Sequence, residues 1–278
     1  MRKQISLSLA GLALVAACDR AAPAPTAPPI DDLRVAPNLA MPEHVQLQRG
    51  FDRDFSGNIV ALELSQARGS RSALMTSHGG TVLVTNKTMA IFWGSQWSSP
   101  SFAQDKITGL DSFFDGFGGS AYAAASTEYI GSNGQVTTSS TYIGHVVDLS
   151  TAPSGAISTS TAVAEACKKT GNYPDPSALY LIYTATGAGN ANYCAWHSWG
   201  SCSTGAPVQV AYMPNIDGVA GCDPGSPYNG HSQGLAAVAN VTAHELSETI
   251  TDPRGAGWFD SSGAENGDKC AWSFAPPY

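Results

Sequence analysis

Charge is what this sequence has least of. Only 13% of its 278 residues are Asp, Glu, Lys or Arg, about half the share of an ordinary soluble domain. A disordered, self-solvating chain would carry more charge and fewer aromatics than the 9% here. Basic residues are scarcer still. Fourteen Lys and Arg are spread along the chain without clustering, which excludes the basic stripe of a nucleic-acid-binding protein. No apolar run reaches the roughly 18 residues that begin to suggest a membrane-spanning helix, so a polytopic membrane protein is excluded as well. What the chain does have is 29 Gly, 17 Pro and a formal net charge of -8. It reads as an acidic, turn-rich globular protein of an exported kind, long enough for one large core or two small ones.

The N-terminus supplies the export signal. Arg2 and Lys3 precede a 13-residue apolar stretch from Ile5 to Ala17, too short to span comfortably and of the secretory pattern. Its end, Val15-Ala16-Ala17-Cys18, resembles a bacterial lipobox. That resemblance implies a signal peptide over residues 1–17 and lipidation of Cys18. Cleavage there would remove Arg2 and Lys3 and no acid, leaving 12 basic and 22 acidic residues and a net charge of -10. Residues 18–35 follow as a Pro/Ala-rich linker, an extended spacer with nothing to bury. The expected location is the bacterial cell envelope. The chain would be anchored to the membrane by lipid rather than span it, facing the periplasm or the surface.

Five cysteines remain: Cys167, Cys194, Cys202, Cys222 and Cys270. An oxidising compartment favours pairing them, and an odd number leaves one over. Spacing suggests a local Cys194–Cys202 loop and a Cys222–Cys270 pair bracketing the last helix, with Cys167 as a buried free thiol. A competing reading makes Cys194 a nucleophile and His197 its base, but no oxyanion motif accompanies them.

Residues 36–77 show no clear period. Beyond them, Thr81–Thr85 and Thr88–Trp93 are β-rich runs that suggest a hairpin. Ile107, Leu110, Phe114 and Phe117 recur at helical spacing, predicting a helix over about 102–117 that Gly118-Gly119 stops. Strand is favoured over 136–147, helix over 161–169, and buried strand over 178–183 and 208–212. Strands interleaved with helices predict an α+β (or α/β) domain over residues 36–278, in two or three layers with a mixed sheet. Leu235, Ala239, Ala243, Leu246 and Ile250 form one apolar face of a last helix, from about Ser232 to Thr251. Asp252-Pro253 ends it, because a residue before proline avoids the helical region.

That helix carries the chemistry. It contains His244-Glu245-Leu246-Ser247-Glu248. In zinc hydrolases, HExxH sets two imidazoles on one helix turn and uses the intervening glutamate to polarise the attacking water. Here the second His is Glu248, a legitimate ligand that still converges with His244 at i,i+4. The expected site is thus zincin-like, with His244 and Glu248 as metal ligands and Glu245 as the catalytic base. A third ligand must come from the acids that follow: Asp252, Asp260, Glu265 or Asp268. Asp260, beyond a Gly-rich turn, resembles the layout of aspzincin metalloproteases and is preferred. Asp268 stands 24 residues after His244, a spacing similar to that of thermolysin-like enzymes. Two carboxylates and one imidazole neutralise a divalent cation, so the centre would be a weaker Lewis acid than a two-histidine site. It would suit zinc or a harder divalent cation. The competing reading is a His–Glu pair within a core helix.

Three segments together resemble a known family. His78-Gly79-Gly80-Thr81-Val82-Leu83 with Ile91-Phe92-Trp93-Gly94 resembles the opening of the plant Exordium (phosphate-induced) proteins. Leu179-Tyr180-Leu181-Ile182 with Tyr193-Cys194-Ala195-Trp196-His197-Ser198 resembles their second strand and Cys/His segment. Thr249 to Phe259 resembles a later stretch of the same proteins. The similarity runs from His78 to Trp272, some 70% of the chain. It implies an extracytoplasmic protein related to growth-signalling proteins without an established enzymatic activity. Plant members often lack HExxE, so the bacterial form would be the one with the complete metal site. Two functions are therefore expected in competition. One is a metal-dependent peptidase or hydrolase of the cell envelope. The other is a non-catalytic Exordium-like protein that binds a peptide or an envelope ligand. His78 and His231 are expected to be a turn residue and a helix-entry residue.

Overall fold

The computed structural model describes residues 74–191 and 193–270, together with the backbone of three short strands before them. Cys18, the signal peptide of residues 1–17, the linker of residues 18–35 and the side chain of Cys270 lie outside the described residues. In chain order the elements are β1 (Gln46–Gln48), β2 (Phe51–Arg53), β3 (Ile59–Ala61), β4 (Thr76–Ser77), β5 (Asn86–Trp93), α1 (Pro100–Ala103), α2 (Lys106–Phe117) and α3 (Ala121–Ala125). They continue with β6 (Ile130–Gly131), β7 (Gly134–Gln135), β8 (Ser140–Asp148), α4 (Thr159–Lys169), β9 (Ala178–Thr184), β10 (Ala195–Ser201), β11 (Pro207–Met213), α5 (Gln233–Thr251) and β12 (Trp258–Phe259).

The fold is α+β, built on a mixed sheet in the order β1-β10-β11-β9-β5-β8. The strands β8, β5, β9 and β11 run parallel, and β10 and β1 are added antiparallel at one edge. β9 is flanked by parallel neighbours and buried along its whole length, so it reads as continuous ALYLIYT rather than as an alternation. The two-residue period divides the sheet into two cores. Ala90, Phe92, Leu179, Leu181, Tyr183, Ala211 and Met213 pack with α2 and α5 on one face. Ile91, Tyr180, Ile182, Val210 and Tyr212 pack with α4 on the other. The result is three layers, helix–sheet–helix.

Several expectations are corrected. Residues 81–85 do not form a strand or a hairpin with β5, whose sheet neighbours are β8 and β9. The backbone groups of that segment find other partners. Val82 exchanges hydrogen bonds with the Asn133 side-chain amide at 2.9 and 2.8 Å, and the Leu83 N–H donates to the Ile250 carbonyl at 2.9 Å. The same segment runs tight against the turn after α5. A Cβ at Gly80 would stand 2.3 Å from the Ala256 carbonyl oxygen, so only glycine fits. The helix expected over 102–117 is divided. Gln104 adopts φ 47, and Asp105 starts α2 while its Oδ2 accepts from Ser232 N–H at 3.1 Å, joining the N-terminal ends of α2 and α5. The disulfides also differ: Cys167 pairs with Cys202 and Cys194 with Cys222. Cys167 is therefore not free. The Cys194–Cys202 loop does not form, because residues 195–201 are strand β10, which carries its two ends apart.

Candidate metal centre

α5 is the element that builds the site. Ser232 caps it by accepting from the Leu235 N–H at 3.0 Å, the ordinary use of a serine at a helix entrance. Its apolar face lies on the sheet, with Leu235, Val238, Val241, Leu246 and Ile250 in the core. Asp252 closes its C-terminal end by accepting from the Ala256 and Gly257 amides, both at 2.8 Å. His244, Glu245 and Glu248 are all buried in the last two turns, Glu245 fully so.

Strand β10 supplies a partner that the sequence analysis did not assign to the site. Ala195 packs on the α5 side and Trp196 on the α4 side, so alternation turns His197 back toward α5. Its Nδ1 lies 3.0 Å from Glu245 Oε2 and 3.5 Å from Glu248 Oε2, and its Nε2 lies 3.4 Å from Glu265 Oε2. Cys194, which precedes this strand, is bonded to Cys222. It has no thiolate to offer, and His197 is not the base of a cysteine nucleophile.

The loop after β12 closes the centre. Asp260 organises it: Oδ1 accepts from the Ser262 and Ala264 amides at 2.8 and 3.0 Å and from the Ser262 hydroxyl at 2.6 Å, while Oδ2 is paired with Lys269. These contacts hold the Asp260 carboxyl down at about 2 against the opposing effect of burial. With both oxygens engaged there, Asp260 is not brought to the His244–Glu248 pair. Asp268 is. His244 Nε2 lies 2.9 Å from Glu248 Oε1 and 3.7 Å from Asp268 Oδ1. The loop presses in closely at Gly267, where a Cβ would meet Glu248 Oε1 at 2.8 Å and the His244 ring at 3.1 Å. Asp252, the remaining acid, serves the turn after the helix. His78 stacks on Phe259 with ring centres 3.6 Å apart, and His231 stands 3.2 Å from Asp105. Neither joins the centre.

The electrostatics follow from burying so many acids together. Burial alone would lower the His244 imidazole, but Glu248 outweighs it and lifts it to about 9. Burial likewise opposes a charged His197, and Glu265 and Glu245 carry it well above its ordinary value. Glu248 is pushed up by burial, yet His244 and His197 draw it down to about 2. Burial raises Glu245, and raises Glu265 strongly.

The donor set fits a divalent cation. Buried polar atoms normally have hydrogen-bond partners, yet among the described residues His244 Nε2, Glu245 Oε1, Glu248 Oε1 and both Glu265 oxygens make no hydrogen bond, their contacts being ion pairs where they have any. His244 Nε2 and Glu248 Oε1 stand 2.9 Å apart as an ion pair, close enough to serve one shared cation. Imidazole nitrogen with carboxylate oxygen suits zinc and its harder neighbours. No family model, curated protein or solved structure matches this chain.

Proposed function

We propose that this chain is a metal-dependent hydrolase of the bacterial cell envelope, acting on peptide bonds. The supporting observation is the cluster of buried His and Glu side chains on the HExxE turn of α5, where the ligand atoms of His244 and Glu248 lie within 4.8 Å of one another and of Asp268. His244, Glu248 and Asp268 would hold the cation, Asp268 taking the place expected of Asp260. When bound, such a cation supplies Lewis-acid polarisation of the scissile carbonyl and of water. The other steps belong to the chain. Glu245 divides its oxygens: Oε2 is held by His197 Nδ1 at 3.0 Å, and Oε1 has no partner. His197 thus orients the carboxylate, and Oε1 is the atom that takes the proton from water and passes it to the leaving amine. Burial raises the Glu245 carboxyl, moving it toward the range where it can both accept and release a proton. The Asp260–Lys269 loop holds Gly267 over the ligands and excludes solvent. Asp268, with 22% of its side chain exposed, marks the open side. A lipid on Cys18 would tether the domain to the membrane and present that side to envelope peptides.

The test is metal content and cleavage in parallel. Protein purified without chelator contains stoichiometric metal, His244→Ala loses it, and Glu245→Gln keeps the ion at His244 while cleavage of a quenched-fluorescent peptide library stops. Native protein without metal refutes the reading. Cleavage that survives Glu245→Gln puts the base elsewhere. Cys18→Ser abolishes lipid labelling and membrane retention, and unchanged membrane fractionation refutes the anchor.

One observation favours the competing, non-catalytic reading: His197, His244, Glu245, Glu248 and Glu265 are each at most 8% exposed. In that case the cation is structural, and the Exordium-like protein binds an envelope ligand elsewhere. Bound metal, unfolding by chelator and no cleavage of any peptide in the library would establish it.

A further inference from the structure

Glu248 faces two histidines with two different oxygens. Oε1 is turned to His244 at 2.9 Å, and Oε2 to His197 at 3.5 Å. Around them stand two sets of candidate ligands that share only this residue: His244, Glu248 and Asp268, and His197, Glu245 and Glu248, each with its ligand atoms within 4.8 Å of one another. We propose that the centre holds two divalent cations bridged by the Glu248 carboxylate, the second held by His197 Nδ1, Glu245 Oε2 and Glu248 Oε2. This extends the metal-dependent reading above and rests on it.

The two positions have similar geometry, each with one contact at ion-pair distance that a cation would spread. Tetrahedral bonds of about 2.0–2.2 Å put ligand atoms about 3.3–3.6 Å apart. From His197 Nδ1 the distances are 3.0 Å to Glu245 and 3.5 Å to Glu248. From His244 Nε2 they are 2.9 and 3.7 Å. The far side of the His197 ring is equally telling. A metal-bound histidine ordinarily gives its other N–H to a carboxylate that fixes the ring. Glu265 stands there, fully buried, 3.4 Å from Nε2, with neither oxygen hydrogen-bonded. Glu245 Oε1 and Glu265 Oε1 have no hydrogen-bond partner among the described residues, and buried carboxylate oxygens ordinarily have one.

In this arrangement the second cation would replace the His197 hydrogen bond in holding Glu245 Oε2, and Glu245 Oε1 stays the base atom.

The experiment counts ions. The full-length chain is stripped with chelator, reloaded with Zn2+ or separately with Mn2+, and analysed for metal per chain. The expected result is two ions in the native chain, one in His197→Gln and one in Asp268→Asn. A native chain with one ion, kept by His197→Gln and lost by Asp268→Asn, overturns the second position and leaves the first. A native chain with none overturns both. Native Mn2+-loaded protein gives a readout that needs no variant. Spin-coupled Mn2+ in its paramagnetic resonance spectrum supports the pair, and the resolved hyperfine pattern of isolated Mn2+ at full loading overturns it.

Discussion

Gly267→Ala is the sharpest test of whether the closing loop shapes a metal centre. The added Cβ would sit 2.8 Å from Glu248 Oε1 and 3.1 Å from two atoms of the His244 ring, where ordinary contact begins at 3.4 Å. The overlap is relieved most easily by the Glu248 side chain, whose tip can turn away. In protein without metal that weakens the buried pairs of Glu248 with His244 and His197. In loaded protein it removes a ligand from its place. Overpacking at a closed site costs about 1–3 kcal/mol, which here falls mainly on the cation and corresponds to roughly a 5- to 150-fold rise in Kd. The assay is a Zn2+ titration against a chromogenic chelator, with thermal melts in EDTA and in excess Zn2+. The variant should melt below the native protein in EDTA, and by a wider margin in excess Zn2+. An unchanged Zn2+ affinity in a variant that folds normally would show that Gly267 lies over no metal ligand.

Other consequences can be measured independently of the metal. The Cys194–Cys222 and Cys167–Cys202 links close loops of 28 and 35 residues, so removing either pair should cost roughly 3–4 kcal/mol in urea denaturation; a loss below about 1 kcal/mol would mean that the link is not formed in the native protein. Gly109→Ala would bring a Cβ to 2.1 Å from Leu235 Cδ2, where α2 crosses α5, so it should destabilise by about 1–3 kcal/mol, and an unchanged melting temperature would refute that close approach. Burial works against a charged Asp175, but Lys87 at 2.5 Å and the Ser177 amide and hydroxyl hold its carboxyl at about 2, below the ordinary 3.8. Its contribution is therefore present above pH 3.8 and lost as pH falls toward 2; Asp175→Asn should lower stability at neutral pH, and its deficit against the native chain should vanish across that acid range.

The fold was legible where periodicity is local. α5 extends from Gln233 to Thr251, close to the span predicted by its apolar face and the Asp252-Pro253 stop. β9 and β11 fall within a residue of the apolar runs that mark them. Residues 81–85 have a strand's composition, but their hydrogen bonds go to an Asn side chain and to the end of a helix. Composition cannot distinguish those partners from a neighbouring strand. The disulfides were misread for a related reason. Spacing favours a Cys194–Cys202 loop and a Cys222–Cys270 pair, whereas β10 keeps Cys194 and Cys202 apart, and Cys222 is taken by Cys194 and Cys202 by Cys167.

The centre divides along the same line. His244, Glu245 and Glu248 lie on one helix turn, and helical geometry alone gathers His244 with Glu248. The choice between Asp260 and Asp268 depended on a loop, and there the decisive fact is competition for the carboxylate. Asp260 has two amides, a hydroxyl and Lys269 as partners, so its oxygens are committed before any cation arrives. His197 was passed over because it was weighed against Cys194, its neighbour in sequence. Its real partners are 48 and 68 residues away, at Glu245 and Glu265. One signal for it was present: in an Ala-Trp-His-Ser strand, the residue two beyond a core alanine shares its face. A histidine aimed by strand alternation at an acidic helix turn has either a proton or a cation to share with it. Counting ions per chain decides which.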